Sequence, residues 1–323
     1  MAAIVGGLSY AFSGFMMIGS GWYLFTIEGL YFALLLLAFE RFLLLGKWGL
    51  FPVVLMLVGM WQPVDVYIMA LMIGTYGTVR ILDENNLDWI DLFKKYAQLV
   101  VLGGIGLAMG AVLLMPTVEL LVNSPRVLGD SSFFDTLQSA SIFDITNPDL
   151  WATTKARWLS TDLLKDDNFS FRGAMNYLEA PAIYAGVAVF LLVPQAFAYM
   201  EKRSRILYGI LLAVYLLPLL FPFLRYSFWL FAGDYYRIYS LFVIFIMLHL
   251  SAKAIHAIYE TKELRWKAFG VGIAILFYLL FSISNTEVVL VDEASRNFLL
   301  FFVVLYIGLI GLWAMDGLSS VAR

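Results

Sequence analysis

The 323-residue chain is 62% hydrophobic and only 14% charged. Soluble globular domains run at about 45–50% apolar and about 25% charged residues, so the composition excludes a soluble enzyme and implies an integral membrane protein. A formal net charge of −3 leaves no footprint for nucleic acid, and zero cysteines with two histidines exclude disulfides, thiol chemistry and histidine-rich metal centres.

A bilayer core about 30 Å thick takes about 20 mostly apolar residues per helix. On that measure ten spans are expected, near 3–20, 22–42, 48–62, 64–82, 97–115, 180–199, 206–224, 238–258, 268–285 and 298–316. The fold class is then all-α: a polytopic membrane helical bundle of about ten transmembrane helices with one long outer loop. The division is into 1–115, holding the first five helices; 116–178, an extracytoplasmic loop region; and 179–323, holding the last five. The first cation is Arg41, so no basic segment precedes the first apolar run and the start does not read as a secretory signal peptide. A chain that opens straight into a span also has the look of a piece of something longer.

Lysine and arginine in short loops stay on the cytoplasmic side. Alternate loops carry Arg41 and Lys47, then Arg80, Lys94 and Lys95, then Lys202, Arg203 and Arg205, then Lys253, Lys262, Arg265 and Lys267. Both termini are therefore expected in the cytoplasm and residues 116–178 outside. Within 85–96, Leu87, Ile90 and Phe93 recur at helical spacing with acids ahead of lysines, which reads as a short cytoplasmic surface helix. The NFS triplet at 168–170 fits a glycosylation sequon, a pattern too short to carry weight alone.

Ionisable groups at membrane depth cost roughly 2.5–3.5 kcal/mol on insertion scales, so each needs a reason. Glu28, Asp65, Arg126, Arg225, Asp234 and Arg237 all fall, under this topology, toward one face. Such a set suits an anionic headgroup. Arg126, Arg225 and Arg237 offer planar forks for phosphate oxygens, while Tyr226, Tyr235 and Tyr236 offer rings that stack on a sugar. Asp234, Asp65 or Glu28 can act as a general base toward a hydroxyl. The plainer alternative is an interfacial collar, with Asp234 and Arg237 paired three residues apart on a helix rim. His249, Lys253 and His256 share a helical stripe that lacks an acid to complete a proton path. Pro218 and Pro222, four apart, kink the seventh span just before Arg225. Phosphate-binding glycine loops, zinc-protease motifs and nucleophile elbows are absent.

Four segments in order, LSYAFSGFMMIGSG at 8–21, LLMPTVELLVNSPR at 113–126, LEAPAIYAGVAVFLLV at 178–193 and FPFLRYSFWLFAG at 221–233, resemble the YfhO family of bacterial membrane proteins. The resemblance covers about residues 5–260. It implies a GT-C-type bundle and a glycosyltransferase that draws on a polyprenyl-phosphate-linked sugar, with a cell-envelope polymer such as teichoic acid as acceptor and no metal or other cofactor. Residues 13–15, Arg126 and Arg225 with Tyr226 stand at family motif positions. GT-C enzymes typically hold an essential acid in a first outer loop, and that loop has no counterpart here; Glu28, Asp65 and Asp234 are the candidates to replace it. Two alternatives stand beside transfer: a non-catalytic protein or assembly partner that binds lipid-linked sugars, and a secondary transporter, although no internal repeat is evident.

Overall fold

In a lipid environment backbone amides must be satisfied within the chain, and helices do this segment by segment. A computed structural model describes residues 2–84, 88–124, 134–161, 163–164, 180–283 and 291–321. Every regular element among them is a helix, apart from an isolated bridge between Leu164 and Val291. In chain order these are α1 (Ala2–Ala11), α2 (Gly14–Gly19), α3 (Tyr23–Leu45), α4 (Leu50–Trp61), α5 (Pro63–Glu84), α6 (Trp89–Met109), α7 (Ala111–Val122) and α8 (Phe134–Gln138). They continue as α9 (Pro148–Leu159), α10 (Ala188–Tyr199), α11 (Lys202–Leu220), α12 (Pro222–Phe228), α13 (Arg237–Thr261), α14 (Trp266–Phe281) and α15 (Glu293–Val321).

Among the described residues, six stretches are long and apolar enough to cross a membrane: Ala2–Gly19, Pro63–Glu84, Trp89–Met109, Lys202–Leu220, Arg237–Thr261 and Glu293–Leu312. Shorter apolar helices cover Leu50–Trp61, Ala111–Val122, Ala188–Tyr199 and Trp266–Phe281. The chain is a multi-pass helical membrane protein.

Several boundaries differ from the hydropathy reading, each for a local reason. The stretch 97–115 is not one rod. Asp88 caps α6, accepting from the amides of Ile90 at 2.9 Å and Asp91 at 3.2 Å, so residues 89–96 form its first turns and no separate surface helix occurs there. Residues 85–87 lie outside the described set. At the other end α6 stops at Gly110, and α7 restarts beyond it. Gly106 explains why α4 and α6 can approach so closely: a Cβ there would sit 2.3 Å from the Pro52 carbonyl oxygen. In the stretch 180–199 the helix begins only at Ala188, after a non-helical run in which Gly186 takes φ +92°. Helix α3 ends on Gly46 at φ +64°, where the Lys47 amide returns to the Arg41 carbonyl at 3.1 Å, the left-handed cap that glycine supplies at low cost.

The helices gather into two compact units that interleave along the chain. One comprises Met1–Gly21, Ile145–Arg205 and Tyr235–Arg323; the other comprises Trp22–Asp144 and Ile206–Asp234. In the first, α13 contributes the largest set of buried residues and α10 packs on both α13 and α14. The second is built on α3–α7 with α11 and α12.

Candidate functional site

Pro222 cannot donate a backbone hydrogen bond, and residue 222 is the position from which the Pro218 carbonyl would ordinarily receive one. The chain supplies that donor from a side chain. Arg225 Nη1 donates to the Pro218 carbonyl at 2.7 Å, inside a side chain that is fully buried. The other edge of the guanidinium forks onto Asp234: Nη2 donates to Oδ2 at 2.8 Å and Nε donates to Oδ1. Arg225 thus closes the break between α11 and α12 and pins the chain nine residues further on. Asp234 keeps 31% of its side-chain surface open.

The turn between them is strained. Leu230 and Phe231 both hold left-handed backbone, at φ 52° and φ 61°, a region that costs non-glycine residues roughly 1 kcal/mol or more each. The Tyr226 carbonyl closes this turn by accepting from the amides of Trp229 at 3.0 Å and Phe231 at 2.9 Å. The Phe231 ring holds the strained position, with its centroid 5.3 Å from Phe223 and 6.1 Å from Phe134.

Helix register brings the two remaining acids to the same end of this unit. The Phe39 and Tyr76 rings meet at 6.0 Å, and Tyr76 Oη donates to Glu40 at 2.6 Å, which fixes α3 beside α5 at this level. Eleven residues back along α3 is Glu28, and the same eleven residues back along α5 is Asp65. At 3.6 residues per turn that step is about three turns, so the two acids return to the faces that Phe39 and Tyr76 occupy. Glu28 is 0% and Asp65 1% exposed. At the end away from Phe39 and Tyr76, Tyr23, the first residue of α3, meets Trp61, the last residue of α4 and two before the start of α5, edge-on at 5.8 Å, so the two helices start side by side and run the same way.

Helix α11 runs the opposite way. Tyr208 lies in the field of Glu40, Arg80, Asp83 and Glu84, while Tyr215 hydrogen-bonds Thr75, so residues beyond 215 travel toward the Asp65 end. Glu28, Asp65, Tyr226 and the Arg225–Asp234 pair therefore share one end of the second unit. Its other end carries a network that the hydropathy reading treated as loop charge alone. There Arg80 donates to Glu40 through Nε at 3.1 Å and Nη2 at 3.3 Å, and also to Glu84.

The other expected residues fall elsewhere. Arg126 lies outside the described residues. Tyr235, Tyr236 and Arg237 belong to the first unit, at and before the start of α13. Tyr236 is completely buried against Tyr239, with ring centroids 6.1 Å apart, and Arg237 is 8% exposed. His249, in the same helix, sits 5.8 Å from the Phe245 ring.

Two cations went unnoticed in the sequence. Lys155 and Arg157 both lie on α9, each only 7% exposed. Lys155 Nζ donates to the Ser282 carbonyl and Arg157 Nη1 to the Thr161 carbonyl, while Trp158 meets Phe190 edge-on at 5.5 Å. Burial pulls the Lys155 ammonium below its ordinary range. The signal for this helix was present in Asn147-Pro148, since Asn147 accepts from the Asp149 amide at 2.8 Å and Pro148 fills the first helical position.

No protein-family model, curated protein or solved structure matches the chain.

Proposed function

We propose that this protein transfers a sugar from a polyprenyl-phosphate carrier to a hydroxyl of an envelope polymer such as teichoic acid, in the manner of a GT-C-type glycosyltransferase. The observation that carries the reading is the gathering of Glu28, Asp65 and the Arg225–Asp234 pair at one end of a single helical unit. A carboxyl among apolar helices is expensive to keep unless it has work to do. Glu28 and Asp65 are the candidates for the base that accepts the acceptor's proton as the new glycosidic bond forms and the bond to the carrier phosphate breaks. The carrier phosphate leaves with the electron pair of the broken bond.

The roles divide by what each side chain already does. Arg225 is a positioning residue, because its donors are committed to Pro218 and Asp234. Asp234, open to solvent on one side, is held where a substrate can reach it. Arg126 is assigned to the carrier phosphate and Tyr226 to the sugar by the chemistry of their side chains, and both stand at positions of the YfhO-like motifs.

Binding of lipid-linked sugar without transfer is the second reading. The near-complete burial of Glu28 and Asp65 favours it, because a base must touch its substrate. Vesicles containing the purified protein, labelled polyprenyl-phosphate sugar and acceptor polymer separate the two. Labelled polymer is expected under the first reading. Retention of the donor with no labelled product supports the second, and neither retention nor product removes both.

A further inference from the structure

A second feature of the α3–α7 unit is a groove of about 660 Å³ between the end of α3 and the middle of α6. Phe42, Leu43 and Trp48 form one wall; Lys95, Val101 and Ile105 form the other. From Lys95 to Ile105 the helix rises about 15 Å, the length of one hydrocarbon chain lying partway into a leaflet. The rim is apolar and outward-facing: Val101 is 62% exposed, Ile105 48% and Trp48 59%. Such a face on a membrane protein is covered by lipid tails, and tryptophan is typical of the headgroup level.

The polar end of the groove selects among lipids by charge. Glu40 and Glu84 are engaged by Arg80, Asp88 caps α6, and Asp91 lies 3.6 Å from Lys95. Arg41, Lys47 and Lys94, all exposed and each next in sequence to a residue that lines the groove, form no ion pair among the described residues. The acids of this region are thus occupied while three cations are left over. Gly46 sets this geometry, since its left-handed cap turns Lys47 and Trp48 off the end of α3 toward α6.

We propose that this groove binds one anionic phospholipid, its headgroup among Lys47, Lys94 and Lys95 and one acyl chain along Val101 and Ile105. This is a site for a bulk membrane lipid, separate from the carboxyls assigned to sugar transfer, and it holds whether or not transfer occurs.

The test uses the full chain in detergent, stripped of lipid and titrated with phosphatidylglycerol or phosphatidylcholine under native mass spectrometry. One tightly retained phosphatidylglycerol is expected, held at least tenfold better than phosphatidylcholine. Changing any one of Lys47, Lys94 and Lys95 to glutamine is expected to cut that preference by about fivefold, and changing all three to abolish it. Val101→Trp, which fills the groove from an exposed position, is expected to lower retention of both lipids; near-UV circular dichroism checks its fold, and Ile105→Trp replaces it if it does not fold. Equal retention of the two lipids by the unaltered protein would overturn the proposal. So would retention unaffected by a folded groove-filling variant.

Discussion

The Arg225 brace makes an asymmetric prediction. Removing Asp234 (Asp234→Ala) leaves a fully buried guanidinium without its counter-charge, a loss of about 3–5 kcal/mol for buried pairs, with the lower end expected here because the Asp234 side chain is 31% exposed. Removing Arg225 (Arg225→Met) keeps the volume filled. It strands the Pro218 carbonyl, at about 1–3 kcal/mol, and leaves an aspartate that water can reach. The first change is therefore the more damaging, although arginine is the more deeply buried of the two. A third substitution isolates the carbonyl. Pro222→Ala restores a backbone N–H at the position that would ordinarily serve Pro218, so Arg225→Met is expected to cost about 1–3 kcal/mol less in that background. Unfolding midpoints in detergent, followed by the fluorescence of the nine tryptophans, read these differences at roughly 2–4 °C per kcal/mol. Equal midpoints for Asp234→Ala and Arg225→Met, or no coupling between Pro222 and Arg225, would refute the brace.

Three further outcomes follow from the geometry. Leu230→Gly relieves the left-handed strain at φ 52° and is expected to raise the unfolding midpoint, whereas Leu230→Val, branched at Cβ, lowers it by about 1–2 kcal/mol equivalent. Gly106→Ala drives a methyl into the Pro52 carbonyl and is expected to destabilise by about 1–3 kcal/mol, while Gly104→Ala, with nothing within 4 Å, is neutral or mildly stabilising in the same melt. The buried Lys155 binds its proton less tightly folded than unfolded. Stability therefore rises with pH between the lowered folded value and the ordinary 10.5, and the difference in midpoint between the unaltered protein and Lys155→Met should shift in that direction across this range.

The helical membrane class was legible because apolar runs of span length follow one another with few charges between them. Helix ends were less legible. Gly110 divides the fifth expected span because backbone packing at Gly106 and Gly110, a tertiary matter, sets where α6 and α7 meet. Asn147-Pro148 announced α9, but the low hydropathy of its sequence hid that Lys155 and Arg157 are buried, since burial there comes from α14 and α10 rather than from α9 itself. At the candidate site, Pro218 and Pro222 were readable as a kink. That Arg225 supplies the donor withheld by Pro222 required knowing where residue 225 returns in space. The pairing of Asp234 likewise went to Arg225 across a strained turn, because residues 230–236 are not helical and the three-residue spacing to Arg237 has no helix to act through. Glu28 and Asp65 stood out by chemistry, and only the shared direction and register of α3 and α5 put them at one level.

The most direct measurement is the initial rate of label transfer from polyprenyl-phosphate sugar to acceptor polymer in vesicles, comparing the unaltered protein with Glu28→Gln and Asp65→Asn at equal folded protein. Loss of a general base costs about 10²–10⁴-fold, so at least one of the two variants is expected to fall a hundredfold or more while donor binding persists. Undiminished transfer in both variants, or none in the folded unaltered protein, would contradict the assignment of a glycosyl-transfer site to this end of the bundle.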